Sequence, residues 1–514
     1  MDHLNKKQGL SLSLGGLLVF SGCAQQRPLD AMKPNIVFIF ADDMGYGDVS
    51  ALNENSKLQT PNIDRIAHEG VIFTDAHSSS SVSTPSRYSV LTGRYNWRST
   101  EKFGVLNGYS KALIREDRRT IAHVLRDCGY ETAAIGKWHL GWDWNNIEAG
   151  KDSVDFSKPI ANGPTSRGFD YYYGIAASLD MAPYVYVEND KVTALPDRIT
   201  ENKGGYGWWR KGPTGADFEH ERTLPHLVDK AVEYIWEKSG NNKPFYLYLP
   251  LPAPHTPILP VKEYQGKSGL NPYGDFVLMV DDMVGRVMKA LKDTGADENT
   301  IIVFSTDNGC SPEANFNLLQ EKGHSPSYIY RGHKADLFDG GHRVPCVVRW
   351  PARIKPHVVN QTICLTDFFA TFAAIADYRL KDTEGEDSYD IRPLLLNEKE
   401  SGTIREATVH HSIDGDFTIR KGEWKLLLSP SSGGWSFPRP GRDDEVIKTL
   451  PKVQLYNMKE DPSETNNVCA EHPEIVKELR ALMIKYIKDG RSTPGIPQKN
   501  DGPEVWEQLG WMEE

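Results

Sequence analysis

The sequence predicts an α/β fold built on a large, mostly parallel central sheet. Three observations carry that expectation. Segments such as Pro34 to Phe40, Pro244 to Leu251 and Thr300 to Ser305 are continuous apolar runs, rich in β-branched and aromatic residues, as strands covered on both faces require. Stretches of helical periodicity, notably Leu224 to Gly240 and Asp275 to Leu291, fall between them. The chain has 514 residues, enough for a large core and more than one domain.

Lys6 and Lys7 precede an apolar run from Leu10 to Phe20 that is too short to span a bilayer. It ends in Phe20-Ser21-Gly22-Cys23, which resembles a bacterial lipoprotein cleavage box. Residues 1–22 therefore read as a signal peptide of the lipoprotein type, with Cys23 lipidated. Ordinary cleavage nearby, leaving Cys23 unmodified, is the alternative. The expected location is periplasmic or outer-membrane, with the membrane reached only through the lipid anchor.

After the first strand, Thr60-Pro61 opens a helix that closes at Gly70, and Val71 to Phe73 is the next strand. Ser83-Thr84-Pro85 reads as a helix start, with Gly93 as its stop. Thr120 caps a helix ending near Gly129, and Glu131 to Ile135 follows as a strand. From Lys151 to Thr223 the pattern weakens into long loops rich in Gly, Pro, Tyr and Trp. A helix from Thr366 to Ala376 precedes a polar linker, Lys381 to Asp387. Phe417 to Leu426 reads as two strands about a Lys-Gly turn, and Pro473 to Asp489 as a capped amphipathic helix. The expected organisation is a main domain over 30–380 and a smaller α+β subdomain over 405–500.

The net charge of -11 argues against a nucleic-acid partner. Six cysteines show no metal-like spacing, and no disulfide framework is expected.

The chemistry-bearing residues follow the strands, where ligands bind in open α/β sheets. Asp42-Asp43 follows the first strand and Asp307-Asn308 the Thr300 strand. Taken alone, Asp42-Asp43 is better read as a polar loop with one Asp capping a turn. Together the four side chains form an all-oxygen set suited to calcium or magnesium. Zinc is disfavoured, because Cys/His clusters are missing. Lys137 and His139, two apart, project to one side of an extended backbone; a surface Lys and a packed His is the plainer reading of that hexapeptide. His255 lies between Pro254 and Pro257, which also fits a structural turn. Arg331-Gly332-His333-Lys334 and Asp339-Gly340-Gly341-His342-Arg343 also suit a surface hairpin.

Ser83-Thr84-Pro85-Ser86-Arg87 resembles the C/S-x-P-x-R signature of the type I sulfatases, and the segments above follow in that family's order, through Leu455 to Pro462 with Glu464-Thr465-Asn466. The resemblance implies an alkaline-phosphatase-like sandwich that hydrolyses sulfuric esters of a sulfated glycan. It implies that Ser83 is oxidised to formylglycine by an anaerobic sulfatase-maturing enzyme. It implies one Ca²⁺ held by Asp42, Asp43, Asp307, Asn308 and residue 83. Arg87 and Lys137 are implied to hold the aldehyde hydrate, His139 to deprotonate it, and His255 or Lys334 to serve the leaving sugar oxygen, His255 being favoured as general acid. Asp180, Tyr184, His333 and His342 are candidates for sugar contacts by position, and the expected substrate is a galactose- or N-acetylgalactosamine-type unit. The bulky aromatics Tyr171 to Tyr173 and Trp208-Trp209 favour an exo-acting pocket. Two other classes stay open: a phosphate or phosphonate monoester hydrolase of the same superfamily, and an unmatured glycan-binding lipoprotein.

Overall fold

Parallel pairing of Thr300–Thr306, Asn35–Ala41, Phe245–Pro250, Glu131–Lys137 and Tyr171–Ile175 forms the centre of a ten-stranded sheet in the computed structural model. The structure describes residues 32–146, 153–398 and 402–513. The expected signal peptide and Cys23 lie outside them. Beyond Thr300–Thr306 the sheet continues through Cys346–Arg349, Val71–Phe73 and His357–Val359; beyond Tyr171–Ile175 it continues through Val187–Glu188 and Lys191–Val192. Each antiparallel pair of this sheet includes one of these outer strands.

The first strand shows why its sequence does not alternate. Val37, Ile39 and Ala41 join a core with Ile63, Leu227 and Val280, from the helices Pro61–His68, Thr223–Ser239 and Pro272–Asp293. Ile36, Phe38 and Phe40 join a second core with Leu91, Val124 and Phe368, from Ser83–Thr92, Ile121–Asp127 and Asp367–Ile375. Successive side chains serve opposite faces, and both faces are covered.

A four-stranded antiparallel sheet, Thr408–His411, Phe417–Lys421, Trp424–Leu427 and Gln454–Asn457, packs against the helix Pro473–Asp489. Gly422 makes its hairpin turn at φ +59°, where an L side chain would be strained. Residues Lys33–Glu514 form one compact unit.

Two readings of the sequence need correction. Residues 151–223 are not only loops. Tyr171–Ile175 belongs to the central sheet, and Pro196–Asn202 pairs with Trp209–Gly215 in a separate hairpin. The acidic segment Lys381 to Asp387 is no solvated linker. Glu384, Glu386 and Asp387 are buried, and Asp387 takes a two-pronged ion pair from Arg98 at 2.8 and 2.9 Å. Arg94, Arg118 and Arg119 reach Glu386 and Glu384. The carboxylates look like linker residues in the sequence because their partners lie far away along the chain.

Candidate active site

The parallel strands deliver their carboxyl ends to one place. Asn35–Ala41 ends at Asp42 and Asp43, Thr300–Thr306 at Asp307 and Asn308, Glu131–Lys137 at Lys137 itself, and Phe245–Pro250 leads to His255. Ser83 is the first residue of the helix Ser83–Thr92, which Gly93 closes in the left-handed region. Asp43 sits at φ +65°, a conformation uncommon for a non-glycine residue and often found at functional sites.

Ser83 Oγ donates to Asp307 Oδ2 at 2.6 Å and lies 3.3 Å from Asp42 Oδ1. Lys137 Nζ donates to Asp42 Oδ2 at 2.6 Å and to Ser83 Oγ at 3.0 Å. Arg87 Nη2 donates to Asp307 Oδ2 at 2.8 Å and lies 3.4 Å from Asp42 Oδ1. Lys334 Nζ donates to Asp43 Oδ2 at 2.8 Å. All of these side chains are buried. Three carboxylates therefore face three cations in a water-poor setting, where such charges persist only if paired. Burial would raise the Asp42 carboxyl, but the charges of Lys137, His255 and Arg87 outweigh it and hold Asp42 well below the usual carboxylate range. Lys334 is raised despite its burial, through Asp43 and Asp42.

The two histidines have assignable tautomers. His139 Nε2 donates to the Leu106 carbonyl at 2.7 Å, which leaves Nδ1 as an acceptor, buried and without a partner. Burial first, then Lys137 and Arg87, push this imidazole well below its ordinary value, so it is neutral. His255 Nδ1 donates to the Thr256 carbonyl at 2.5 Å, and its Nε2 lies 3.6 Å from Asp43 Oδ2.

Asn308 supplies an independent sign of a missing partner. Its amide nitrogen donates to Asp43 Oδ1 at 2.7 Å and to Gly309 O at 2.9 Å, but its buried Oδ1 has no hydrogen bond. A buried acceptor left open is costly. With Asp42, Asp43, Asp307 and Ser83 beside it, the open oxygen fits a hard divalent cation. Asp42, Asp43 and His255 each offer one ligand atom within 4.8 Å of the others.

The four sugar-contact candidates separate. Asp180 joins the cluster: its Oδ1 is buried without a hydrogen bond, 3.9 Å from His255 Nδ1. Tyr184 does not face it. Its hydroxyl donates to the Asp180 and Arg210 carbonyls at 3.1 and 2.5 Å, so it props the segment from behind. His333 lines a neighbouring cavity of about 570 Å³ and donates from Nδ1 to the Lys334 carbonyl. His342 is buried elsewhere, with its ring nitrogens 3.0 Å from His77 Nδ1 and from the Leu337 carbonyl. It stacks on His410 at 4.1 Å with planes 6° apart, so the two rings cannot aim in-plane lone pairs at one ion. Tyr171 to Tyr173 are also misplaced by the sequence reading; they form a sheet strand, and Tyr172 donates to Gly136 O and Ile175 O. Arg210 went unnoticed in the sequence. It pairs with Asp180 and stacks on Trp208 at 5.1 Å. A Trp-Trp-Arg run opening a hairpin strand was the available signal.

Comparison with known proteins bears directly on this geometry. The model of the Sulfatase family matches residues 34–378. This chain belongs to the sulfatase family. It is 35% identical to an N-acetylgalactosamine-6-O-sulfatase of Bacteroides thetaiotaomicron, over 91% of this sulfatase and 97% of that protein. It is 30% identical to human Arylsulfatase A, over 94% and 92% of the two chains. A solved structure from work on the metabolism of multiple glycosaminoglycans by Bacteroides thetaiotaomicron superposes with a TM-score of 0.77 at 34% identity, covering 88% of this sulfatase and 99% of that chain. The protein is thus a sulfuric ester hydrolase with the alkaline-phosphatase-like sulfatase fold. Its family is in general formylglycine-dependent and metal-binding. The phosphate-ester and binding-protein alternatives are not favoured.

Proposed function

We propose that this sulfatase removes 6-O-sulfate from N-acetylgalactosamine-configured units of a sulfated glycan, with residue 83 as formylglycine and one Ca²⁺ in the acidic cluster. The observation that carries the reading is the convergence on Ser83 Oγ of Asp42, Asp307 and Lys137 within 3.3 Å. The 35% identity to an N-acetylgalactosamine-6-O-sulfatase supports the sugar. Asp42, Asp43, Asp307, Asn308 and residue 83 would hold the cation. When present, the cation supplies a Lewis acid for the sulfate oxygens, and the hydrated aldehyde supplies the oxygen nucleophile.

The chain's own residues prepare the rest. Lys137 donates to the oxygen at residue 83 and favours its deprotonated form. Arg87 holds Asp307 and Asp42 through one nitrogen, Nη2, and its guanidinium lies over Phe40 at 5.5 Å. His255, with Nδ1–H fixed on Thr256 O, presents Nε2 as the atom that gives a proton to the departing sugar oxygen. Lys334 adds a fixed cation on Asp43 Oδ2, the same carboxylate oxygen that faces His255 Nε2. His139 offers its unpartnered Nδ1 as a proton acceptor for the hydroxyl at residue 83. Asp180 with Arg210 forms a polar edge for a sugar hydroxyl beside His255.

Export as a lipoprotein anchored at Cys23, and maturation of Ser83 by an anaerobic sulfatase-maturing enzyme, belong to the same proposal. The test has two arms. Mass spectrometry of the peptide containing residue 83 should show loss of two hydrogens after co-expression with a maturase. Sulfate release should be fastest on 6-O-sulfated N-acetylgalactosamine; faster release from a 4-O-sulfated isomer or a glucosamine 6-sulfate rejects the substrate.

A further inference from the structure

Lys334 is carried by an irregular segment between Arg331 and the short helix Asp339–His342. Nothing periodic fixes such a segment, so its position depends on its ties. On one side it is tied to the site. Lys334 N donates to Cys310 O at 2.9 Å, two residues beyond Asn308, and Ala335 N donates to Ser81 O at 2.8 Å, two residues before Ser83. On the other side, both of its ends meet a single residue outside the catalytic cluster, Glu464. Arg331 Nη1 donates to the Glu464 carbonyl at 2.8 Å. The Asp339 backbone N–H donates to Glu464 Oε2 at 2.7 Å. The remaining carboxylate oxygen, Oε1, accepts from Lys425 Nζ at 2.6 Å, and the same ammonium donates to Asp339 Oδ1 at 2.7 Å. Asp339, Lys425 and Glu464 are all fully buried.

A wholly buried ionic group is a poor way to add stability, because apolar side chains of similar volume do as well. What it fixes is geometry. Glu464 also sits at φ +51°, a region costly for an L residue and retained where the surroundings over-determine it. That backbone turn is what lets one residue present its carbonyl to Arg331 and its carboxylate to Asp339.

We infer that Glu464 is a positioning residue for Lys334, clamping both ends of the Arg331–Asp339 segment so that the Lys334 ammonium is held 2.8 Å from Asp43 Oδ2. The inference rests on the reading of Lys334 as a residue of the sulfatase site. Glu464→Gln keeps the volume and one accepting oxygen but loses the second.

The test is a double-mutant cycle in the matured full-length enzyme, with kcat and KM measured on the mono-sulfated sugar that the wild type turns over best. Glu464→Gln should lower kcat by about tenfold or more, as a misplacement of an ångström or less does, with the unfolding temperature largely kept. In the Lys334→Ala background the same change should have almost no further effect, because the route that the inference assigns to Glu464 has been removed. Arg331→Lys, which weakens the other end of the clamp, should behave in the same way and serves if Glu464→Gln accumulates poorly. An equal loss of kcat in both backgrounds overturns the inference alone. Wild-type turnover by Lys334→Ala overturns the reading of Lys334 and this inference with it.

Discussion

Lys137 Nζ stands 3.0 Å from Ser83 Oγ while also bonding Asp42 at 2.6 Å. One ammonium thus links Ser83, the nucleophile-bearing residue of the proposal, to a carboxylate of the acidic cluster. Removing it leaves both the nucleophile and Asp42 short of positive charge. Lys137→Ala should lower kcat by roughly 100- to 1000-fold with a smaller change in KM, the size of effect seen when a preorganised donor is lost. Steady-state sulfate release measures it; a change confined to KM would contradict the role.

His255 is held by a single backbone contact at Nδ1, in a loop after a buried strand. His255→Ala should slow turnover by about 10²–10⁴-fold on sugar sulfates, the usual range for a lost general acid. An aryl sulfate with an acidic leaving phenol needs less protonation and should lose much less. Equal losses on both substrates would argue against proton donation.

Asp75 predicts the acid limit of stability. It receives Arg420 Nη1 at 2.9 Å, His77 Nε2 at 2.8 Å and the Thr362 hydroxyl at 2.5 Å, with Arg343 at 3.3 Å. Burial alone would raise this carboxyl; Arg343 and Arg420, helped by His77, outweigh burial and place it far below the usual range. A carboxyl depressed in the folded state stabilises fully above its unfolded value of about 3.9, and that contribution is lost as pH falls towards the folded value. Unfolding temperature should therefore drop steeply below about pH 4. Asp75→Asn should be less stable at neutral pH, by about 3–5 kcal/mol where buried guanidiniums lose their carboxylate, and should show a flatter decline in acid. Parallel wild-type and variant curves would refute the assignment.

Chelation tests the acidic cluster. Stripping divalent cations should abolish turnover and lower the unfolding temperature, since a ligand at 100 times its Kd contributes about 2.7 kcal/mol. Calcium should restore both, and zinc should not, because Asp42, Asp43, Asp307, Asn308 and residue 83 offer oxygen donors only. In Asn308→Ala, which removes the open Oδ1, recovery should need more calcium. Calorimetric titration of the stripped protein reads this without relying on activity.

How much was legible in the sequence varied with the range of the interaction. Continuous apolar runs gave three of the five central strands to within a residue at each end, because a strand buried on both faces is apolar throughout, whereas Tyr171–Ile175 was read as loop. Asp42-Asp43 and Asp307-Asn308 were recognisable as strand-end residues, and parallel strands place such ends together. Tyr184 and His342 were chosen by their neighbourhood in the chain, and position along a chain does not say which way a ring turns. Tyr184 faces inward as a prop, and His342 pairs with His77.

The sequence by itself determined the fold class, the pentapeptide at Ser83 and the acidic and basic residues around it, because local periodicity and strand-end chemistry are short-range. Tertiary structure decided which charges are paired. Glu386 and Asp387 look like linker residues until Arg118 and Arg98 meet them, and Glu464 shows no partner in the sequence until both ends of the Lys334 segment close on it. Such pairings join residues up to hundreds of positions apart, and a buried charge is tolerated only where the fold brings its partner within hydrogen-bond reach.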